Sequence, residues 1–87
     1  MYYVYVLQSI QTGKLYIGSS NDPDRRLIEH NSGTTVSTKP HAPYRIIYRE
    51  QYIEKKEALI RERQIKNSGK LRKEIKLGTY KAPSSIG

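Results

Sequence analysis

The chain has 87 residues, 36% of them hydrophobic, enough for one compact domain and too few for a second independent core. It contains no cysteine, which excludes disulfides, thiolate catalysis and cysteine-based zinc sites, and only two histidines, His30 and His41, which excludes a multi-histidine metal centre. The 16 basic residues outweigh the 8 acidic ones for a formal charge of +8.

That excess is uneven. Residues 1–44 hold four basic and three acidic side chains, whereas residues 45–87 hold twelve and five. A basic second half suits a polyanionic partner, of which nucleic acid is the commonest. The alternative is a solvated basic surface that aids solubility only. The apolar run Tyr2 to Ile10 is too short for a membrane span and no basic residue precedes it, so an intracellular, cytoplasmic protein without a membrane partner is expected.

The elements follow in chain order. Residues 2–9, YYVYVLQS, are β-branched and aromatic and predict a strand that is central or covered on both faces. Gln11 to Lys14 form a turn, and residues 15–20, LYIGSS, predict a second strand that closes a hairpin. If that turn centres on Gln11-Thr12, Tyr5 lies opposite Gly18 and Leu7 opposite Tyr16, which makes Tyr5 and Tyr16 diagonal neighbours on one face. Asp22 and Pro23 predict a helix start, and Ser32-Gly33 a stop near Asn31. Residues 34–43 read as a polar loop. Residues 44–50 predict a third strand with Tyr44, Ile46 and Tyr48 on one face. Residues 54–67 predict a second helix and residues 70–77 a short basic third. The order β-β-α-β-α-α implies an α+β fold, a three-stranded antiparallel sheet flanked by helices. Residues 1–78 are assigned to the domain and 79–87 to a disordered tail.

Three placements stand out. Glu62 shares a helical stripe with Ala58 and Ile65, which should face the sheet; Glu57, Arg61 and Arg63 have easier routes to solvent. A carboxylate on a core face is paired, protonated or bound to a metal, and pairing with an arginine for structure alone is the competing reading. Arg26 and His30 are i, i+4 neighbours at the edge of a buried stripe; the competing reading there is an Asp22–Arg26 pair with an exposed histidine. Gly18 inside a strand leaves room for an approach to the backbone, or is a bulge glycine between two core tyrosines.

Together these residues resemble the GIY-YIG nucleases, in particular small stand-alone members related to the N-terminal nuclease domain of bacterial excision-repair endonuclease. Tyr3-Val4-Tyr5 stands where the family carries Gly-Ile-Tyr, with Tyr3 in place of the glycine, and Tyr16-Ile17-Gly18 matches the second triplet. Asp22-Pro23-Asp24-Arg25-Arg26-Leu27 resembles the stretch that ends in the family arginine, His30 stands at its His or Tyr position, and Glu57 to Glu62 resembles its Glu-Ala-Leu-x-x-Glu helix.

The resemblance implies a divalent-metal-dependent DNA endonuclease that hydrolyses phosphodiester bonds, with structure-directed cleavage in repair or recombination among the roles it admits. RNA is a second possible substrate, and a non-catalytic nucleic-acid-binding module is the rival function. The implied catalytic residues are Tyr5, Tyr16, Arg26, His30 and Glu62, with Glu62 as the ligand of Mg²⁺ or Mn²⁺. Tyr5 is the first choice for general base, although Tyr5, Tyr16 and His30 can exchange roles without contradicting the sequence. Gly18 would make room for the phosphate backbone, and Lys39, Arg63, Lys66 and Lys70 would bind substrate. A monomer or a weak dimer is compatible with these features.

Overall fold

The computed structural model describes residues 1–33 and 41–80. The order is β1 (Tyr2–Ser9), β2 (Leu15–Ser20), α1 (Pro23–Asn31), β3 (Tyr44–Tyr52), α2 (Lys55–Lys66) and α3 (Gly69–Leu77), as the α+β reading requires. The sheet is antiparallel with β1 in the centre, in the order β2-β1-β3. Its hairpin register is the expected one, with Tyr5 opposite Gly18 and Leu7 opposite Tyr16.

Because β1 is central, both its faces are covered. Val4 and Val6 join Ile17, Ala58, Ile65 and Ile75 in a core beneath α2 and α3. Tyr5 and Leu7 join Tyr44 in a second core, against which Tyr16, Leu27 and Ile46 pack on the α1 side. Period-two alternation thus serves two cores at once, and few polar positions are left on this strand.

Tyr44, Ile46 and Tyr48 do not share a face. A register irregularity opposite Val6 and Leu7 pairs Val6 with Tyr48 and Leu7 with Ile46, leaving Ile47 as the extra residue. One extra residue inverts the alternation of everything beyond it. Tyr44 and Ile46 stay on the α1 side, whereas Tyr48, Glu50 and Tyr52 turn toward α2. Simple alternation cannot reveal such an insertion.

The turned segment carries a buried charge. Glu50 is 4% exposed. Its carboxylate accepts hydrogen bonds from the Tyr48 and Tyr52 hydroxyls and from Arg61 Nε at 3.0 Å, and Arg61 also donates to the Tyr80 hydroxyl at 2.6 Å. Arg61 is therefore not a solvent-seeking side chain, because it is drawn under the helix by a buried carboxylate. Thr79 and Tyr80, assigned from the sequence to the tail, belong to the packed structure: Tyr80 lies against the core and its backbone N–H bonds to Glu74. The rest of the expected tail, 81–87, lies outside the described residues.

Burial alone would raise the Glu50 carboxyl, but the hydrogen bonds from Arg61, Tyr48 and Tyr52 outweigh it and hold the group below the ordinary 4.5. The same pairing, with burial, pushes Tyr52 up to about 12. A carboxyl with a depressed folded-state pKa contributes stability above its unfolded value and loses it as pH falls through the folded one. Arg61→Ala should lower the unfolding free energy by about 3–5 kcal/mol, since it strands a buried charge. Glu50→Gln should flatten the loss of stability below pH 4.5. Urea denaturation at neutral and acid pH measures both.

Candidate active site

β2 is an edge strand, so side chains from both faces of the sheet can meet around it. Tyr5 and Tyr16 approach from the α1 side. Ser19, opposite Val4, faces α2 and its hydroxyl donates to Glu62 Oε1 at 2.6 Å. The two sets of residues are linked by the strand that separates them.

Tyr5 is 1% exposed and its ring lies directly on Gly18. A Cβ at Gly18 would sit 2.7 Å from the Tyr5 hydroxyl oxygen, 2.8 Å from Cζ and 3.2 Å from Tyr16 Cε1. The missing side chain is thus the space that Tyr5 fills, so the room expected for a phosphate backbone is already occupied by a phenol. The Tyr5 hydroxyl hydrogen-bonds the Arg26 guanidinium. Burial raises the Tyr5 pKa, Arg26 pulls it down, and the charges of Tyr16 and Glu62 raise it further, with burial prevailing.

α1 delivers Arg26 and His30. Its start is fixed by Ser20, whose Oγ accepts the Asp22 N–H at 2.9 Å, and by Asp22, whose carboxylate caps Arg25 N at 3.2 Å. Its end is fixed by Asn31, whose side-chain amide both donates to and accepts from the Tyr44 backbone, at 3.0 and 2.6 Å. Between these anchors Arg26 pairs with Glu29 at 2.8 Å. His30 is fully buried, with its ring centroid 4.6 Å from that of Tyr16 and 6.3 Å from that of Tyr44. Burial, then the Arg26 charge, lowers the His30 pKa, so the imidazole is neutral at pH 7. An exposed histidine beside an Asp22–Arg26 pair is not what forms.

Glu62 comes from α2, on the stripe with buried Ala58 and Ile65. Its side chain is 17% exposed, and Oε2 lies 2.7 Å from Lys66 Nζ. Beside Arg26 and Ser19 an open cleft of about 390 Å³ is lined by Tyr2, Ser20, Asp22 and Glu29. Tyr5, Tyr16, Arg26, His30 and Glu62 are therefore brought to one edge of the sheet.

A model of the GIY-YIG catalytic domain matches residues 1–75. The chain belongs to the GIY-YIG nuclease family. Among relatives, a UPF0213 protein of Staphylococcus saprophyticus is 36% identical over 73 residues, covering 83% of this chain and 88% of the relative. A UPF0213 protein of Streptococcus pneumoniae is 37% identical, covering 83% and 73%. The solution NMR structure of a UPF0213 protein from Bacillus halodurans has a TM-score of 0.54 at 30% identity, covering 95% of this chain and 89% of that one. Membership of the GIY-YIG nucleases implies a nucleic-acid substrate. No helix among the described residues is long and apolar enough to cross a membrane.

The expected substrate-binding residues scatter. Lys66 is at the site, ion-paired with Glu62. Arg63 lines a separate groove of about 880 Å³ between α2 and α3, with Lys55 and Lys56. Lys70 is exposed in the first turn of α3. Lys39 lies outside the described residues. Sequence reasoning gave no role to Ser19 and Asn31, whose partners Glu62 and Tyr44 are distant in the chain, or to Glu29, whose pairing with Arg26 is local to the helix.

Gly18→Ala should overpack this edge, because the fully buried Tyr5 ring has nowhere cheap to move; a destabilisation of about 1–3 kcal/mol is expected. Gly69→Ala, where the nearest atom is the end of the Arg72 side chain at 3.9 Å, should leave the melting temperature almost unchanged. Thermal denaturation of the two variants provides the comparison.

Proposed function

We propose that this protein is a divalent-metal-dependent DNA endonuclease that hydrolyses phosphodiester bonds at the β2 edge. The observation that carries the reading is the convergence of Arg26 and Glu62 around that edge. They come from different helices on opposite faces of the sheet, and the Glu62 charge is felt at the Tyr5 hydroxyl that Arg26 bonds. A non-catalytic binding module has no need of a carboxylate beside a cleft that receives an anionic backbone, whereas Glu62 is held there by Ser19, which lines the cleft.

The residues fit a divalent cation held by one protein carboxylate. No group of three or more histidine, aspartate or glutamate side chains suited to a metal occurs among the described residues. Magnesium and manganese accept one or two carboxylates when water and phosphate oxygens complete the shell. Supporting this, Glu62 already carries one cation, the Lys66 ammonium at 2.7 Å, whose side chain is 52% exposed. Such an ion would offset charge on the phosphate and its leaving oxygen.

The chain's own groups supply the rest. Arg26, at the rim of the cleft, offers a planar fork to a phosphate oxygen and opposes the charge that grows during attack. Tyr5 holds Arg26 from beneath. As it is 1% exposed with a raised pKa, it is poorly placed to deprotonate water itself. Tyr16, half-buried on the edge strand with the neutral His30 ring against it, is the better general base. Acting as phenolate, the Tyr16 oxygen takes the proton from water and becomes a phenol, and His30 holds that ring in place.

Cleavage of supercoiled, nicked and branched DNA should require Mg²⁺ or Mn²⁺, stop with EDTA and be lost in Glu62→Gln while salt-sensitive binding survives. Binding without metal-dependent cleavage by the unaltered protein would instead support the binding module. Loss of a general base lowers rate by about 10²–10⁴-fold. Tyr16→Phe should show that loss and a flattened pH–rate profile, whereas Tyr5→Phe should keep the profile's shape at a lower rate. The reverse pattern would return the base to Tyr5.

A further inference from the structure

Beyond the site, the basic residues of the second half are not one continuous surface. Three of them, Arg72, Lys73 and Lys76 of α3, converge with Gly13, Lys14 and Leu15 of the hairpin turn on a cleft of about 440 Å³. Four of the six lining residues are cations and none is acidic. Like charges repel, so folding brings these side chains together against their own electrostatics, and an anion in the cleft would relieve that repulsion.

The arrangement is held in place. Gly13 has a φ of +75°, a left-handed conformation that suits glycine. The Lys76 ammonium lies 3.7 Å from where a Gly13 side chain would begin, so the turn lets α3 lay its lysine close against the backbone. Arg72 is tethered by a hydrogen bond to the Lys66 carbonyl at the end of α2.

This cleft lies along the same strand as the catalytic edge. Leu15, which lines it, begins the strand that also carries Tyr16, Gly18 and Ser19. Four residues of strand separate Leu15 from Ser19, roughly 13 Å at ~3.3 Å per residue. Lys66 spans the interval on the other side: its ammonium is on Glu62 and its carbonyl is bound by Arg72. Successive phosphates of one strand wind around the helix axis and are farther apart than the axial rise of about 3.4 Å per base pair, so this span covers a few phosphates at most.

Resting on the nuclease reading, we infer that the Lys14–Arg72–Lys73–Lys76 cleft is a second phosphate site, which grips the DNA backbone a few phosphates from the scissile bond and lays the strand along β2. Lys55 and Lys56, which open on the separate groove between α2 and α3, lie off this track. The inference sorts lysines that composition alone leaves equivalent.

The test compares two variants that each lose two charges but keep their side-chain stems, Lys14→Gln/Lys76→Gln and Lys55→Gln/Lys56→Gln. Binding of a fluorescent DNA duplex is titrated by anisotropy from about 50 to 200 mM salt with EDTA present, and circular dichroism verifies the fold. Each phosphate contact contributes about 0.9 to the slope of log affinity against log salt. The first variant should therefore lower the slope by about 1.8 and the second should leave it unchanged. No change in the first, or an equal fall in both, overturns the track while leaving the nuclease reading intact. Failure of the unaltered protein to bind DNA at any of these salt concentrations overturns both.

Discussion

The buried Glu50–Arg61 pair sets the rotation of α2, and the rest of the site follows from that rotation. Glu50 faces the helix because one extra residue in β3 inverts the strand beyond Ile47. Once Glu50 is buried, Arg61 must reach it, since an uncompensated carboxylate there is too costly. Successive helix residues are about 100° apart, so with Arg61 directed to β3 its neighbour Glu62 is directed to β2, where Ser19 receives it. The helix straddles the central strand, with the buried Glu50–Arg61 ion pair on one side and Glu62 on the other.

The opposite face is organised by a smaller constraint. The Tyr5 ring needs the space that the absent Gly18 side chain leaves, and from that seat its hydroxyl meets Arg26. Asn31 and Ser20 hold the two ends of α1 so that the arginine stays in reach. The site is therefore assembled around an exposed strand edge from two separately anchored helices. A long, charged backbone such as DNA has access to that edge without entering a closed pocket. The cation cleft at the other end of β2 suits the same extended ligand.

Much of this was legible in the sequence. Strand alternation and turn residues determined the six elements, their order and the hairpin register, because these depend on contacts between near neighbours in the chain. The i, i+4 spacing of Arg26 and His30 and the helical stripe of Ala58, Glu62 and Ile65 also follow from local geometry. Together with the two tyrosine triplets they were sufficient to indicate the family, and they nominate residues that the fold brings to the β2 edge.

What only the tertiary structure decided is which polar groups meet across the chain. The β3 bulge moved Tyr48 to the other face, drew Arg61 inward and made Tyr80 part of the packed domain. Gly18 proved to be the seat of Tyr5, and Lys66 the partner of Glu62. The basic residues became separate clusters, one along the β2 edge and another between α2 and α3. Apart from the local Glu62–Lys66 pair, these outcomes rest on residues that are not neighbours in the chain, whose meeting depends on register and helix rotation. Periodicity in a sequence specifies a face, whereas the group waiting on that face is set by the packing of the whole domain.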